Sequence, residues 1–346
     1  MRALKTEIAL RKDEIKSTID TIYFGGGTPS LLDASEISSI LNTLTRHFNL
    51  AENPEITLEA NPDDLMRKKL GDLFAAGINR LSIGIQSLND NSLKWMNRAH
   101  NSSEARASIS VARDIGFQNI SIDLIYGLPH LSLEEWKAEL MEIFSFDIQH
   151  VSAYCLTIEP ETALGHWVKK GKEKPVDEDA ANKQFQLLIE VADQYGLEQY
   201  EVSNFGKAGY YSQHNTSYWK GIPYLGLGPS AHSYSEGKRS WNIANNARYI
   251  KTLEEGKIPL TTEVLSRHDQ ANEYIMTGLR TKWGIDLERL KNQFEYDIQN
   301  DYSNLVNELL EKGLACLEDG HLKLTKTGLF MADGIASDFF ILEHDH

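Results

Sequence analysis

Cysteine is the residue that this chain most clearly lacks, with two in 346 positions, Cys155 and Cys316. They lie far apart and form no C-x-x-C spacing, which excludes a disulfide scaffold and a cysteine-based metal site within the chain. Long apolar runs are missing too, since none approaches the roughly 18 residues that span a bilayer. The N-terminus, MRALKTEIALRKDE, has no apolar signal core, and its acidic residues disfavour a transit peptide. These absences predict a cytoplasmic protein without an integral membrane segment.

Basic residues are scarce relative to acidic ones. The chain has 35 Lys and Arg against 50 Asp and Glu, which gives a formal net charge of −15. Such an excess of acid argues against a nucleic-acid partner and gives no support to binding at an anionic membrane. The remaining composition, 41% hydrophobic and 25% charged, is typical of a globular protein.

Strand-like and helix-like segments alternate through residues 1–205. Strands are predicted at 22–24, 55–58, 80–85, 119–124 and 150–156, and 199–203 is a candidate sixth strand. Helices are predicted at 2–16, from Pro62 onward, and after capping boxes at Asp33–Glu36, Asn101–Glu104 and Ser132–Glu135. A repeat of roughly 30–35 residues per unit predicts a parallel sheet with right-handed crossovers. The strand count favours a partial barrel over a full eight-stranded one.

The stretch TIYFGGGTPSLL at residues 21–32 ends a strand in three glycines. Glycines there allow the backbone to approach a ligand closely, although a tight strand-to-helix turn is the simpler alternative. Later strands also end in polar residues, and the carboxyl ends of parallel strands meet at one rim. A small-molecule site is therefore predicted from Gly25, Gly26, Gly27, Thr28, Glu59, Gln86, Asp123 and Thr157.

Single residues of this set leave alternatives open. Glu59 either caps the helix that starts at Pro62 or holds a hydroxyl or amine of a ligand. Asp123 interrupts an apolar strand and needs a partner, so an ion pair with Arg80 or Arg98 is the structural alternative. Arg98 alone is equally typical of a surface or capping residue.

The residue composition and the motifs change in the second half of the chain. Residues 206–264 carry HNTSYW at 214–219 and LGLGPSAH at 225–232. A histidine followed by aromatic residues fits either a haem or metal ligand beside a flat apolar wall, or a loop that closes over the barrel mouth. Residues 265–346 read as helices with a β-wing, a winged-helix-like domain. The chain is acidic, so a structural lid or docking role is favoured over DNA binding.

These motifs together resemble the HemW/HemN branch of the radical-SAM family, which contains haem chaperones and oxygen-independent coproporphyrinogen III oxidases. The matching stretches include YFGGGTPSLL, ITLEANPDDL, INRLSIGIQSLND, ISIDLIYGLP, HNTSYW and YLGLGPSAHSY, within residues 20–235. The tail at 265–340 is similar to the C-terminal domain of the same family. The resemblance implies an α/β fold, a partial (β/α)6 barrel with S-adenosylmethionine across its rim.

The resemblance also implies roles for named residues. It places S-adenosylmethionine against Gly26, Gly27, Thr28, Glu59, Gln86, Arg98, Asp123 and Thr157. The HNTSYW stretch resembles the haem-binding branch, which makes His214 the expected haem ligand with Tyr218 and Trp219 packing nearby. The implied function is a haem chaperone in porphyrin and haem metabolism, with haem-receiving client proteins as partners. The alternatives are radical decarboxylation of coproporphyrinogen III and a non-catalytic interaction protein that uses the tail; the oligomeric state stays open.

One departure from the family is serious. The family's C-x3-C-x2-C loop, which holds a [4Fe–4S] cluster, is absent together with the barrel's first strand, and neither cysteine present matches a ligand. Without the cluster no 5′-deoxyadenosyl radical forms, so we expect no metal site and no radical chemistry in this chain. We expect an N-terminal truncation, by a mis-assigned start or a shortened product, rather than a natural radical-inactive member, with the cluster only in a full-length form. The strand at 21–24 should then be an open sheet edge.

Overall fold

The computed structural model describes residues 1–235 and 237–341. Five parallel strands lie side by side in chain order: β1 (Ile19–Phe24), β2 (Leu50–Ala60), β3 (Arg80–Gln86), β4 (Asn119–Tyr126) and β5 (His150–Cys155). Two short strands, β6 (Glu198–Gln199) and β7 (Asn204–Gly206), extend the sheet antiparallel beyond β5. Within the described residues β1 pairs only with β2, so the sheet is an open, partial barrel, as predicted.

Eight helices belong to this half: α1 (Arg2–Leu10), α2 (Ala34–His47), α3 (Arg67–Ala75), α4 (Asp90–Trp95), α5 (Ser102–Ile115), α6 (Leu133–Ser145), α7 (Ala163–Lys169) and α8 (Glu178–Gln194). The three predicted capping boxes are present at the starts of α2, α5 and α6. The longer helices bury an apolar stripe; on α2 it consists of Ile37, Ile40, Leu41 and Leu44. Complete burial of one such side chain stabilises the fold by about 1.5–3 kcal/mol.

Three local predictions were wrong. The first helix ends at Leu10 rather than near residue 16, because the backbone of the fully buried Arg11, at φ −101° and ψ 11°, leaves helical geometry. Pro62 begins a single 3-10 turn, Pro62–Asp64, and α3 starts only at Arg67, because Leu65 leaves helical geometry. The candidate sixth strand is shorter than predicted and is not a parallel barrel strand, because the chain reverses there into the β6–β7 pair.

Residues 206–264, predicted as a linker and closing segment, contain regular structure. They form α9 (Gln213–Trp219), β8 (His232–Ser235), β9 (Lys238–Asn242), α10 (Asn246–Glu254) and β10 (Leu260–Val264). The three strands make an antiparallel sheet in the order β10-β9-β8.

The remaining chain is mainly helical, as predicted. It consists of α11 (Arg267–Leu279), β11 (Ile285–Asp286), α12 (Leu287–Phe294), α13 (Ile298–Asp301), α14 (Ser303–Glu311), β12 (Ala315–Glu318), β13 (His321–Leu324), α15 (Lys326–Leu329) and α16 (Ala332–Asp338). A small sheet in the order β11-β13-β12 supplies the wing. The last five positions of the predicted 265–346 domain, 342–346, lie outside the described residues.

Two hydrophobic cores stabilise the molecule. One lies between the parallel sheet and its helices, and the other lies among α11 to α16. Phe330, after α15, packs edge-on against Phe185 of α8 with ring centres 4.7 Å apart, so the C-terminal region contacts the first core. No helix in the described part of the chain is long and apolar enough to cross a bilayer.

Candidate functional site

The concave face of the parallel sheet is polar. Side chains alternate along a strand, so Thr57 and Glu59 point to this face while Leu58 and Ala60 are buried on the other. The same alternation on the neighbouring strands encloses a cavity of about 60 Å³, lined by Tyr23, Thr57, Glu59, Arg80, Ser82, Ser121, Asp123, His150, Ser152, Tyr154, Ser212 and Asn215. The lining consists of hydroxyls, carboxylates and nitrogen groups, which suits a polar ligand or ordered water.

The glycine loop after β1 is tied to this cavity by Glu59. One carboxylate oxygen accepts a hydrogen bond from the Tyr23 hydroxyl at 2.7 Å, and the other accepts from the Gly26 backbone N–H at 3.1 Å. Gly26 and Gly27 have φ angles of +74° and +63°, and no atom lies within 4 Å of the position that a Cβ would occupy at either residue. The loop therefore presents open backbone beside a fixed carboxylate.

The side chains of Gln86 and Arg98 lie beside Gly84. Gly84 and Gln86 belong to β3, the strand next to β2. A Cβ on Gly84 would lie 2.9 Å from Gln86 Nε2 and 3.5 Å from Arg98 Nη2. Arg98 donates through Nη2 to Asn61 Oδ1 at 2.7 Å, and its buried Nε has no hydrogen-bond partner among the described residues. Gln86 is held at φ +66°, an unusual conformation for a side-chain-bearing residue. These two side chains are therefore held close together at the end of β3.

Asp123 lies in the cavity and forms no ion pair with the residues that the structure describes. The Ser82 hydroxyl lies 3.0 and 3.1 Å from its two carboxylate oxygens. Arg80 instead donates to Asn119, and Arg98 donates to Asn61, so the predicted pairing of Asp123 with either arginine is wrong. Burial raises the pKa of Asp123 to about 7, although the serine hydroxyls oppose the shift. This carboxyl therefore exchanges a proton near neutral pH.

Thr28 and Thr157 lie at the edge of the predicted set. Thr28 precedes the 3-10 turn Pro29–Leu31 and is half-buried. Thr157 is exposed beyond the end of β5, with its hydroxyl 3.5 Å from the Cys155 carbonyl oxygen. The structure thus joins Gly26 with Glu59, and Gln86 with Arg98, while Thr157 makes no contact with these groups in the described residues.

His214 packs against β1 from the concave side. Its imidazole stacks on the Tyr23 ring with centres 4.7 Å apart and planes 16° apart. Nδ1 lies 3.0 Å from the Thr21 hydroxyl, and Nε2 lies 3.1 Å from the Tyr218 hydroxyl. The buried carboxylate of Glu55 accepts hydrogen bonds from the backbone N–H groups of Gln213 and His214, which holds the start of α9. Burial lowers the pKa of His214 to about 4, so the imidazole is neutral at pH 7.

The side chains of Tyr218 and Trp219 contact different parts of the molecule. Tyr218 is 40% exposed and lies over the Nε2 side of the histidine, with its ring edge-on to the imidazole at 4.8 Å. Trp219 instead lies under the guanidinium of Arg280, 5.6 Å from its ring centre. The structure therefore brings Tyr218 to the histidine, whereas Trp219 contacts the C-terminal region.

Several contributors to this site were missed from the sequence: Thr21, Tyr23 and Glu55. Side chains alternate between the two faces of a strand, so the sequence alone could have placed Thr21 and Tyr23 on the same face of the first strand. Glu55 begins the predicted strand at 55–58, and nothing local indicates that it holds a helix more than 150 residues away.

The cysteines do not fit an iron–sulfur cluster. Cys155 and Cys316 are both exposed and belong to different parts of the fold. A [4Fe–4S] cluster of this family requires three thiolates, and residues 1–235 and 237–341 contain no group of three or more metal-binding side chains that could hold an ion.

Comparisons with known proteins place the chain. The pattern of the Radical SAM superfamily matches residues 3–142, and that of the HemN C-terminal domain matches residues 265–331. The heme chaperone HemW of Bacillus subtilis is 32% identical over 323 residues, covering 93% of this chain and 85% of the relative. The radical S-adenosyl methionine domain-containing protein 1, mitochondrial, of Danio rerio is 32% identical over 343 residues, covering 96% and 77%.

A solved structure supports the fold. Coproporphyrinogen III oxidase (HemN) from Escherichia coli, a radical SAM enzyme, superposes with a TM-score of 0.81 at 23% identity, covering 98% of this chain and 82% of that one. At that identity the likeness establishes the architecture alone. Together with the sequence relatives, it shows that the chain belongs to the HemW/HemN family of radical-SAM proteins.

Proposed function

We propose that this protein binds haem and S-adenosylmethionine and acts as a haem chaperone that delivers haem to client proteins. The observation that carries the proposal is the environment of His214. The imidazole is neutral at pH 7 and is stacked on a tyrosine ring, and its Nε2 contacts the hydroxyl of Tyr218, whose side chain is 40% exposed. A neutral imidazole nitrogen is a common axial ligand of haem iron. The relatives named as heme chaperones support the same assignment.

Access to His214 favours the Nε2 side. Tyr218 is four residues along α9, and its side chain is 40% exposed to solvent. The Nδ1 side faces β1, where Thr21 and Tyr23 are part of the sheet. A planar porphyrin would therefore approach from the side of Tyr218, with the Tyr224 ring next to it.

S-adenosylmethionine fits the rim by the chemistry of its donors. Glu59 would accept the amine, the open backbone of Gly26 and Gly27 would allow close approach, and the unpartnered Arg98 Nε supplies a free donor. Gln86 beside Arg98, Asp123 in the cavity, and Thr28 and Thr157 at the edge complete the proposed set. When bound, the molecule supplies a sulfonium group. Since the cysteines cannot hold the cluster, the proposed function includes no radical step.

Haem binding tests the proposal directly. Titration of the parent chain with haem, followed by its absorption band, should give saturable binding. The variant His214→Ala should lose that binding, whereas His166→Ala, an exposed histidine on α7, should keep it. Equal affinity of His214→Ala and the parent would refute the assignment.

The proposed binding of S-adenosylmethionine is tested separately. Calorimetric titration with S-adenosylmethionine should give binding that Glu59→Gln weakens and Glu52→Gln, an exposed acid on the same strand, leaves unchanged. Conversion of coproporphyrinogen III by a form of the chain in which the C-x3-C-x2-C loop is restored would instead favour the oxidase alternative. Failure to bind either haem or S-adenosylmethionine would favour the interaction-protein alternative.

A further inference from the structure

His214 has a hydrogen-bond partner at each ring nitrogen, and the two partners differ in mobility. Thr21 belongs to β1, which is paired along its length with β2. Its hydroxyl, 3.0 Å from Nδ1, has no other hydrogen-bond partner among the described residues. Tyr218, 3.1 Å from Nε2, belongs to the seven-residue helix α9 outside the sheet; its side chain is 40% exposed and lies between the His214 and Tyr224 rings. The Nδ1 contact is therefore built into the sheet, and the Nε2 contact can open.

The imidazole itself has little freedom to turn over. One face of the imidazole stacks on the Tyr23 ring. The Tyr218 ring lies edge-on to the imidazole, with ring centres 4.8 Å apart. The backbone N–H of His214 is fixed by the buried Glu55 carboxylate at 3.1 Å. These contacts restrict the ring to one orientation, with Nδ1 toward the strand.

The two hydroxyls also differ as donors. A neutral imidazole has one N–H and one lone pair, so one hydroxyl must accept from it and the other must donate to it. A phenol is a stronger hydrogen-bond donor and a weaker acceptor than an aliphatic alcohol. The favoured arrangement has Tyr218 donating to Nε2 and Thr21 accepting from the Nδ1 proton.

We propose that Thr21 is the positioning residue of the haem ligand: by accepting the Nδ1 proton it makes Nε2 the nitrogen that binds iron, and Tyr218 covers Nε2 until haem displaces it. This inference rests on the proposed haem-binding function. A hydrogen bond at the far nitrogen of a metal-binding histidine fixes its tautomer and raises its basicity, and its loss weakens metal affinity by about 10–100-fold. Thr21 would thus alter the affinity of the site for haem without contacting haem itself.

Three variants of the full chain test the inference in haem titrations. Thr21→Val is close in shape and removes the hydroxyl, so haem affinity should fall about 10–100-fold. Thr21→Ser restores the hydroxyl and should return the affinity to within about threefold of the parent, which a purely packing role would not predict. Thr43→Val, which removes a part-buried hydroxyl on α2, should have no effect on haem binding. The reduction potential of the bound haem should rise in Thr21→Val, because a less basic imidazole stabilises ferric iron less.

A second measurement needs no haem and covers the case in which Thr21→Val folds poorly. Nitrogen-15 correlation spectra of the parent chain report which ring nitrogen of His214 carries the proton. Protonation at Nδ1 supports the inference, and protonation at Nε2 overturns it. Unchanged affinity and potential in Thr21→Val, with binding lost in His214→Ala, would overturn the inference alone. Unchanged binding in His214→Ala would overturn the proposed function and the inference together.

Discussion

Replacement of Glu7 by alanine should destabilise this protein more than a typical point substitution. Glu7 lies on α1 and is 0% exposed. Its carboxylate accepts four hydrogen bonds, from Arg11 Nη1 at 3.0 Å, Gly228 N at 2.8 Å, Asn242 Nδ2 at 2.6 Å and the Tyr249 hydroxyl at 2.6 Å. One side chain therefore connects the first helix with the segment before β8, with β9 and with α10.

The size of the effect follows from what remains after the carboxylate is removed. Arg11 is also 0% exposed, and among the described residues it keeps Glu14 alone as a charged partner. Removal of one member of a buried ion pair costs about 3–5 kcal/mol, because the remaining charge stays buried. Glu7→Gln keeps the shape and one acceptor oxygen, so its cost should be smaller, about 1–3 kcal/mol. Either loss is a large part of the roughly 5–15 kcal/mol by which native domains are stable.

Equilibrium unfolding in urea, followed by far-ultraviolet circular dichroism, measures these differences. The matched control is Glu254→Ala, which breaks the exposed pair of Glu254 with Arg2; it should change the free energy of unfolding by no more than about 0.5 kcal/mol. Glu7→Ala and Arg11→Ala should also be far from additive, since both remove the same pair. A loss below about 1 kcal/mol for Glu7→Ala, or equal losses for Glu7→Ala and the control, would refute the reasoning.

Three further predictions concern pH and the haem ligand. Burial raises the pKa of Glu139 to about 7. Since this folded pKa lies above the unfolded one, the stabilising contribution of Glu139 is complete below about pH 4 and is lost as the pH rises through 7, by on the order of 3 kcal/mol. The parent should therefore lose stability in urea unfolding between pH 5 and pH 8, and Glu139→Gln should flatten that loss while Glu142→Gln keeps it; an identical pH profile for Glu139→Gln would contradict the assignment. Removal of the hydroxyl that covers His214 Nε2, in Tyr218→Phe, should tighten haem binding about 2–10-fold in a spectrophotometric titration, because one hydrogen bond no longer has to break; weaker binding would mean that the hydroxyl contributes to holding haem. Burial lowers the pKa of His214 to about 4, so haem affinity should stay constant from pH 8 to about pH 5 and fall below that as protonation removes the lone pair; a fall already centred near pH 6.5 would indicate an exposed ligand.

Features encoded within a few residues were predictable from the sequence. Each capping box at Asp33, Asn101 and Ser132 formed as predicted, because the two partners are three positions apart in the chain. Gly116 ends α5 at φ +121°, a conformation that glycine adopts without strain. Alternating strand and helix patterns likewise determined the parallel sheet, and the ordered motifs determined the family.

The predicted site was only partly accessible to such reasoning. The rim residues Gly26 and Glu59 are in contact because parallel strands end at one edge, which strand order alone implies. The alternative of an ion pair between Asp123 and Arg80 or Arg98 did not hold, since which side chain faces Asp123 depends on the register between β3 and β4. The reversal of the chain after Gln199 also depended on the fit against β5, and its short residue pattern contains no sign of it.

The sequence by itself determined the helices, the parallel strands, the glycine loop and the family, because those signals are local patterns or ordered motifs. Only the tertiary structure decided what His214 touches: Thr21 is 193 positions away, and no local periodicity relates the two. It also decided that Glu7 and Asn242, 235 positions apart, share one buried hydrogen bond. Such contacts depend on how the sheet curves and where α9 and α10 pack against it, and therefore on the energy of the whole fold.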